Sequence, residues 1–257
     1  MTRVGVALLA GMFALASGTG EAARRTKTHA TKSELAKRKK LKKQRAKHRS
    51  RRKHGRKVAA NMRWSKEQHL PKGFAWPPNK LMKKANAACE DNLDGLGLVW
   101  EHATPEGKTV DPIYVPGMEI GGIKYTPAYG KGRRRLSCQL VQELAAIGPD
   151  LYALGVREIR FGSIYRNTNV RVHGTRKPFL SRHALGIAMD IKAFVDESGR
   201  VANVELEYLK GDPLLHGIED MVNRSHRFRI VLTPGNDPLS HYDHFHLEAA
   251  VDFTEFR

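Results

Sequence analysis

The chain reads as an α+β domain, an antiparallel sheet with flanking helices. Three observations predict this. Apolar residues form short or alternating runs in 156–164, 186–195, 228–232 and 244–251, the mark of strands. They recur at three- and four-residue steps in 81–93, 137–154 and 212–224, the mark of helices. The two kinds of segment do not alternate strictly, as a parallel sheet of βαβ units would require.

Leu81 to Leu93 predicts a first helix, followed by short strands around Leu96–Glu101 and Ile113–Val115. Met118 to Tyr125 reads as a hairpin, punctuated by Gly121 and Gly122. Ser137 to Leu154 has the clearest helical period, carried by Leu140, Leu144, Ile147, Leu151 and Leu154, with Ser137 placed to cap it. Gly148-Pro149 predicts a break of that helix into two pieces. Val156 to Ile164 and Gly186 to Val195 are strands, the second carrying Asp190. Asp212 to Arg224 is helical, and Phe228–Leu232 and His244–Val251 complete the sheet. No internal repeat is present.

The net charge of +19 is unevenly spread. Arg24 to Lys57 is almost wholly Lys, Arg, His and small polar residues, with Glu34 its only acid. The remainder is mildly basic, which argues for a basic tail on an ordinary domain and against a globular nucleic-acid-binding domain. Ahead of the tail, Val4 to Ala16 is apolar behind Arg3, with small-residue cleavage candidates at Ala14-Leu15-Ala16 and Gly20-Glu21-Ala22. That run falls short of the roughly 20 residues of a bilayer span. Positive charge just behind it resists translocation, as for an uncleaved anchor, but a cleaved export signal is the preferred reading. The expected organisation is a signal peptide at 1–22, a disordered basic segment at 23–57, a linker at 58–78 and a folded domain at 79–257. Leu70-Pro71-Lys72-Gly73 and Trp76-Pro77-Pro78-Asn79 are the turn signals of the linker, and Trp64 and Trp76 are expected to pack onto the domain.

Chemistry concentrates in two segments. Ser181-Arg182-His183-Ala184-Leu185-Gly186-Ile187-Ala188-Met189-Asp190 offers a His and an Asp separated by a turn. His241-Tyr242-Asp243-His244-Phe245-His246 offers two His at alternate positions of an expected strand, hence on one face. Two imidazoles and a carboxylate from separate segments make an open three-ligand set, which suits a catalytic Zn²⁺ whose fourth position is left to water. Gly186 and Ala188 leave room for close backbone approach. Asp243 is expected to point away from His244 as a structural partner. His173 reads as a loop residue, and His29, His48 and His54 of the tail need no role.

Ser-x-His-x-x-Gly-x-Ala-x-Asp followed by His-x-His resembles the LAS group of zinc peptidases, which includes D-Ala-D-Ala carboxypeptidases and murein endopeptidases. Within that group the chain resembles the extensin-like C-terminal domain family, from about Cys89 to Glu248. Cys89, Cys138, Gly162-Ser163-Ile164-Tyr165-Arg166, the Ser181–Asp190 motif with Ala193-Phe194, Leu232-Thr233-Pro234-Gly235 and His241–Leu247 carry the resemblance. It implies that His183, Asp190 and His246 hold the zinc, with His244 beside the metal as a proton carrier or oxyanion donor. By their positions alone, Ser181 is placed to hydrogen-bond within the His183 turn or to orient a ligand, and His241 to give such support or to stand as a third imidazole near the metal. An Arg upstream of the motif stabilises charge on the substrate in the related vancomycin-resistance dipeptidases, which points to Arg166. Extensin-like domains typically read Ser-Tyr-x-Cys-Arg there. This chain lacks that Cys, which leaves the register open by a residue or two, with Arg171 as the alternative. Cys89 and Cys138 are the only cysteines. One disulfide is the default in an exported protein, and the resemblance favours it over two buried thiols.

The expected function is zinc-dependent hydrolysis of peptide bonds in the peptidoglycan stem peptide or crosslink. The alternative is an envelope protein that keeps the fold for binding, with little or no activity. The expected location is secreted or periplasmic, with residues 23–57 attached to an anionic envelope polymer or membrane surface. No specific nucleic-acid partner is expected.

Overall fold

The computed structural model describes residues 70–130, 134–172 and 174–255. The signal, the basic segment, Trp64 and the first part of the linker lie outside the described residues. All described residues belong to one compact unit.

Helix α1 spans Lys80–Gly95, with Asn79 capping it by accepting from the Met82 amide at 2.9 Å. Strand β1 (Glu101–His102) pairs with β2 (Pro112–Tyr114), and β2 with β5 (Leu136–Ser137), as a small three-stranded sheet. Between them a hairpin of β3 (Glu119–Ile120) and β4 (Ile123–Pro127) turns at Gly121 and Gly122. Helix α2 (Cys138–Ala153) follows, capped by Ser137, and buries Leu140, Val141, Leu144, Ile147 and Leu151. Leu154 instead ends the helix at the surface.

The expected break at Gly148-Pro149 does not occur. The proline lies inside one continuous helix. Its missing N–H would have bonded the carbonyl of Ala145, and the Gly121 backbone packs against that carbonyl: a Cβ on Gly121 would lie 2.7 Å from it. The contact is reciprocal, since a Cβ on Gly148 would lie 2.2 Å from the Gly121 oxygen. The two glycines seat the hairpin on the helix.

The main sheet has seven strands. They include β6 (Val156–Ser163), β9 (Ala188–Asp196), β10 (Val201–Asn203), β11 (Phe228–Leu232) and β12 (Phe245–Ala249). The order is β11-β12-β9-β6-β4-β3, with β10 beside β9. All its pairs are antiparallel except β4 with β6, which corrects the purely antiparallel expectation. The long connection through α2 permits that parallel pair. Short helix α3 (Val204–Glu207) and helix α4 (Pro213–Ser225) cross from β10 to β11. A separate hairpin of β7 (Asn169–Val172) and β8 (Thr175–Leu180) stands between β6 and the Ser181 turn.

The core lies between α1, α2, α4 and one face of the sheet, where Phe161, Met189, Ile191, Phe194, Phe245 and Leu247 are buried. Cys89 of α1 and Cys138 of α2 are joined by a disulfide inside it. Residues from 70 onward run along the domain rather than away from it. Lys72 bridges Asp252, and Phe74 packs against Phe253. Trp76, expected to pack, is 41% exposed, and Phe74 takes that place. Among the described residues no helix is long and apolar enough to cross a membrane.

Candidate metal centre

The site grows from the end of β6, the turn before β9, and the β9–β12 pair. Ser181 caps the 3₁₀ turn Arg182–Leu185 by accepting from the His183 amide at 3.3 Å. Gly186 ends that turn at φ +73°, and a Cβ there would lie 2.9 Å from Thr109 and 3.1 Å from the Ser137 amide, so the position requires glycine. The chain then enters β9, where Asp190 is the direct cross-strand partner of His246. The ladder of the sheet therefore brings Asp190 and His246 together, and the capped turn adds His183.

His183, Asp190 and His246 are all buried and converge. His183 Nε2 lies 3.1 Å from Asp190 Oδ1 and 3.2 Å from His246 Nδ1, and the latter lies 2.7 Å from the same Asp190 oxygen. The opposite nitrogen of each ring is already engaged. His183 Nδ1–H donates to the Ile164 carbonyl at 2.8 Å, and His246 Nε2–H donates to Glu248 at 3.1 Å. Both rings thus turn their remaining nitrogen toward one carboxylate oxygen, a convergence held by a proton on His246 or by a cation that takes the proton's place. Burial works against charge on His183 and lowers its pKa. Burial opposes charge on His246 as well, but bonds to Asp190 and Glu248 outweigh it and push the pKa up to about 9. Burial also disfavours an ionised Asp190, yet the charges and hydrogen bonds of His183 and His246 hold it well below the usual carboxylate range. The donor set suits a divalent cation: zinc–nitrogen bonds of about 2.0–2.1 Å put tetrahedral neighbours roughly 3.3 Å apart, close to the two separations made by His183 Nε2 and wider than the 2.7 Å between His246 Nδ1 and Asp190 Oδ1.

His244 sits at the edge of this triangle, with Nε2 3.5 Å from Asp190 Oδ1. It does not share the strand of His246, as alternation predicted, because β12 begins only at Phe245. The turn before the strand places it. Its Nδ1 lies 2.6 Å from Asp243, which is bonded in turn to Lys192. Asp243 is therefore the partner of His244 rather than a residue pointing away from it. Burial lowers the His244 pKa, leaving Nε2 free to accept a proton. His241 bonds Asp237 at 2.9 Å, and its ring centre lies 4.8 Å from that of His244 and 5.3 Å from that of His246. Arg166 reaches the site, with Nη2 3.2 Å from Asp190 Oδ2 while 48% exposed. Arg171 lies instead on the separate hairpin, exposed and opposite Arg176.

The Leu232-Thr233-Pro234-Gly235 segment anchors the loop that carries His241 and His244. Thr233 is fully buried and donates to Glu219 of α4 at 2.7 Å, and a Cβ on Gly235 would lie 2.3 Å from the Tyr208 hydroxyl. Sequence reasoning missed Glu248, Arg182, Lys192 and Asp237. Only Glu248 carried a readable signal: it follows His246 by two residues and so shares its strand face.

Comparison with curated proteins and with solved structures gave no match. Cys89 and α1 precede the family match that was found. Residues 134–257, which hold His183, Asp190, His246 and every other residue of the site, match the family described as extensin-like protein C-terminus.

Proposed function

We infer that this chain is a zinc-dependent hydrolase of the LAS type, cleaving peptide bonds in the stem peptide or crosslinks of peptidoglycan. The observation that carries this reading is the buried triangle of His183 Nε2, Asp190 Oδ1 and His246 Nδ1 with a histidine and an arginine at its rim. Zinc held by those three residues would polarise the scissile carbonyl and acidify a water molecule. His244, kept in orientation by Asp243, would take a proton at Nε2 and return it to the leaving amine. Arg166, half-exposed beside Asp190, would hold a substrate carboxylate or the scissile carbonyl. Export by residues 1–22 and attachment to anionic envelope material through 23–57 complete the reading.

The test is metal analysis of the purified protein together with incubation on purified peptidoglycan and mass spectrometry of the products. Released amino acids or split crosslinks support the hydrolase. Zinc binding without any cleavage favours an envelope-binding role for the same fold.

A further inference from the structure

We propose that Glu248 is a positioning residue of the metal centre, holding His246 so that Nδ1 faces the ion, and that Arg229, with the buried Arg182 guanidinium at ion-pair distance, holds Glu248. The inference rests on the metal reading of the preceding section.

Glu248 is 5% exposed and Arg182 is 2% exposed, among the largest fully buried side chains of the protein. A carboxylate and a guanidinium are costly to bury without partners. Here each has one. Glu248 Oε1 accepts from His246 Nε2 at 3.1 Å, while Oε2 receives Arg229 and lies 3.9 Å from Arg182 Nε. With its Nε2 committed to a proton and a carboxylate, the imidazole has only Nδ1 to offer the ion.

The placement along the chain matters as much as the contact. Arg182 immediately precedes His183, and Glu248 follows His246 by two residues on the same strand face. Their pairing therefore ties the two ligand-bearing segments together behind the metal triangle. The partner of Glu248 on β9 is Ala188, the small residue of the turn-to-strand motif, which leaves the carboxylate space on that side. An ion pair serving only stability would have no reason to reach the distal nitrogen of a metal-binding histidine. A carboxylate in that position raises ligand basicity and fixes the ring.

Glu248→Gln keeps size and one acceptor oxygen while removing the charge. In the full chain, this substitution is expected to weaken zinc binding by about 10- to 100-fold, the usual effect of losing such a support. Competition with a chelator reads the affinity. The downfield Nε2–H proton signal of His246 in the zinc-loaded protein reads the bond itself and is expected to shift. Circular dichroism checks the fold. Should that variant not fold, Arg229→Met loosens Glu248 from its partly exposed side and is expected to weaken zinc in the same direction. Wild-type affinity and an unshifted signal in Glu248→Gln, or wild-type affinity in folded Arg229→Met where the first variant is lost, would overturn the proposal. A wild-type protein that takes up no zinc removes the metal reading and this inference with it, whereas zinc uptake indifferent to residue 248 removes the inference alone.

Discussion

At the scale of single residues, the site separates groups that would hold an ion from a group that would move a proton. His183 and His246 each have one nitrogen in the triangle and the other spent on a fixed acceptor. Removing either leaves an incomplete ligand set. His183→Ala and His246→Ala are each expected to lose most bound zinc, measured as metal per protein after gel filtration. His244 stands outside the triangle, 3.5 Å from Asp190. His244→Ala is expected to keep its zinc and lose rate on crosslinked muropeptides by about 10²–10⁴-fold, the usual range for general acid–base catalysis. Zinc retained in His246→Ala but lost in His244→Ala would exchange the roles of the two residues. The cluster of His183, Asp190 and His246 was legible in the sequence because the two motifs that carry the family resemblance contain all three residues. Arg182 and Glu248 were not, because a charged side chain reads as surface until its partner, 66 positions away in the chain, is brought against it.

At the scale of elements, helices were read closely and short strands poorly. The long apolar period of α2 and α4 declares itself. Hairpin β7–β8 has few apolar residues and a proline at 178, and Phe179 is its one buried side chain among the described residues, so no alternation declares it in the sequence. The misread break at Gly148-Pro149 shows why local rules fail: the glycine serves a tertiary contact. Gly148→Ala would drive its Cβ into Gly121 and is expected to destabilise by about 1–3 kcal/mol, as overpacking does. Gly217, in the middle of α4, has open space where a Cβ would go, with nothing within 4 Å, so Gly217→Ala is expected to stabilise by about 0.5–1 kcal/mol. Urea midpoints of opposite sign check the pair. The disulfide joins α1 to α2 across a separation of 49 residues. Alkylation should find no free thiol in unreduced, exported protein, and replacing both cysteines by alanine is expected to cost about 2–5 kcal/mol in denaturant unfolding.

At the scale of the whole molecule, charge and chemistry occupy different parts of the chain. The basic segment 23–57 ends before the first described residue, and the site lies wholly within 134–257. Deleting Ala23–Lys57 is expected to leave turnover of a soluble peptide nearly unchanged and to weaken co-sedimentation with anionic envelope preparations. For the intact chain that co-sedimentation should vanish at 1 M salt, where charges are screened beyond about 3 Å. Binding indifferent to salt would place the attachment elsewhere.

Asp190 and His246 face each other across β9 and β12, two neighbouring strands within the main sheet. An ion held by both would act as a staple across the ladder, so its occupancy would be felt in the opening of the backbone itself. Amide hydrogen exchange in β9 and β12 is expected to slow on adding zinc and to recover with a chelator. At a free zinc concentration 100 times its dissociation constant the linkage is worth about 2.7 kcal/mol, roughly a hundredfold in exchange through global opening. The most protected amides of this domain would then report on the metal from inside the sheet.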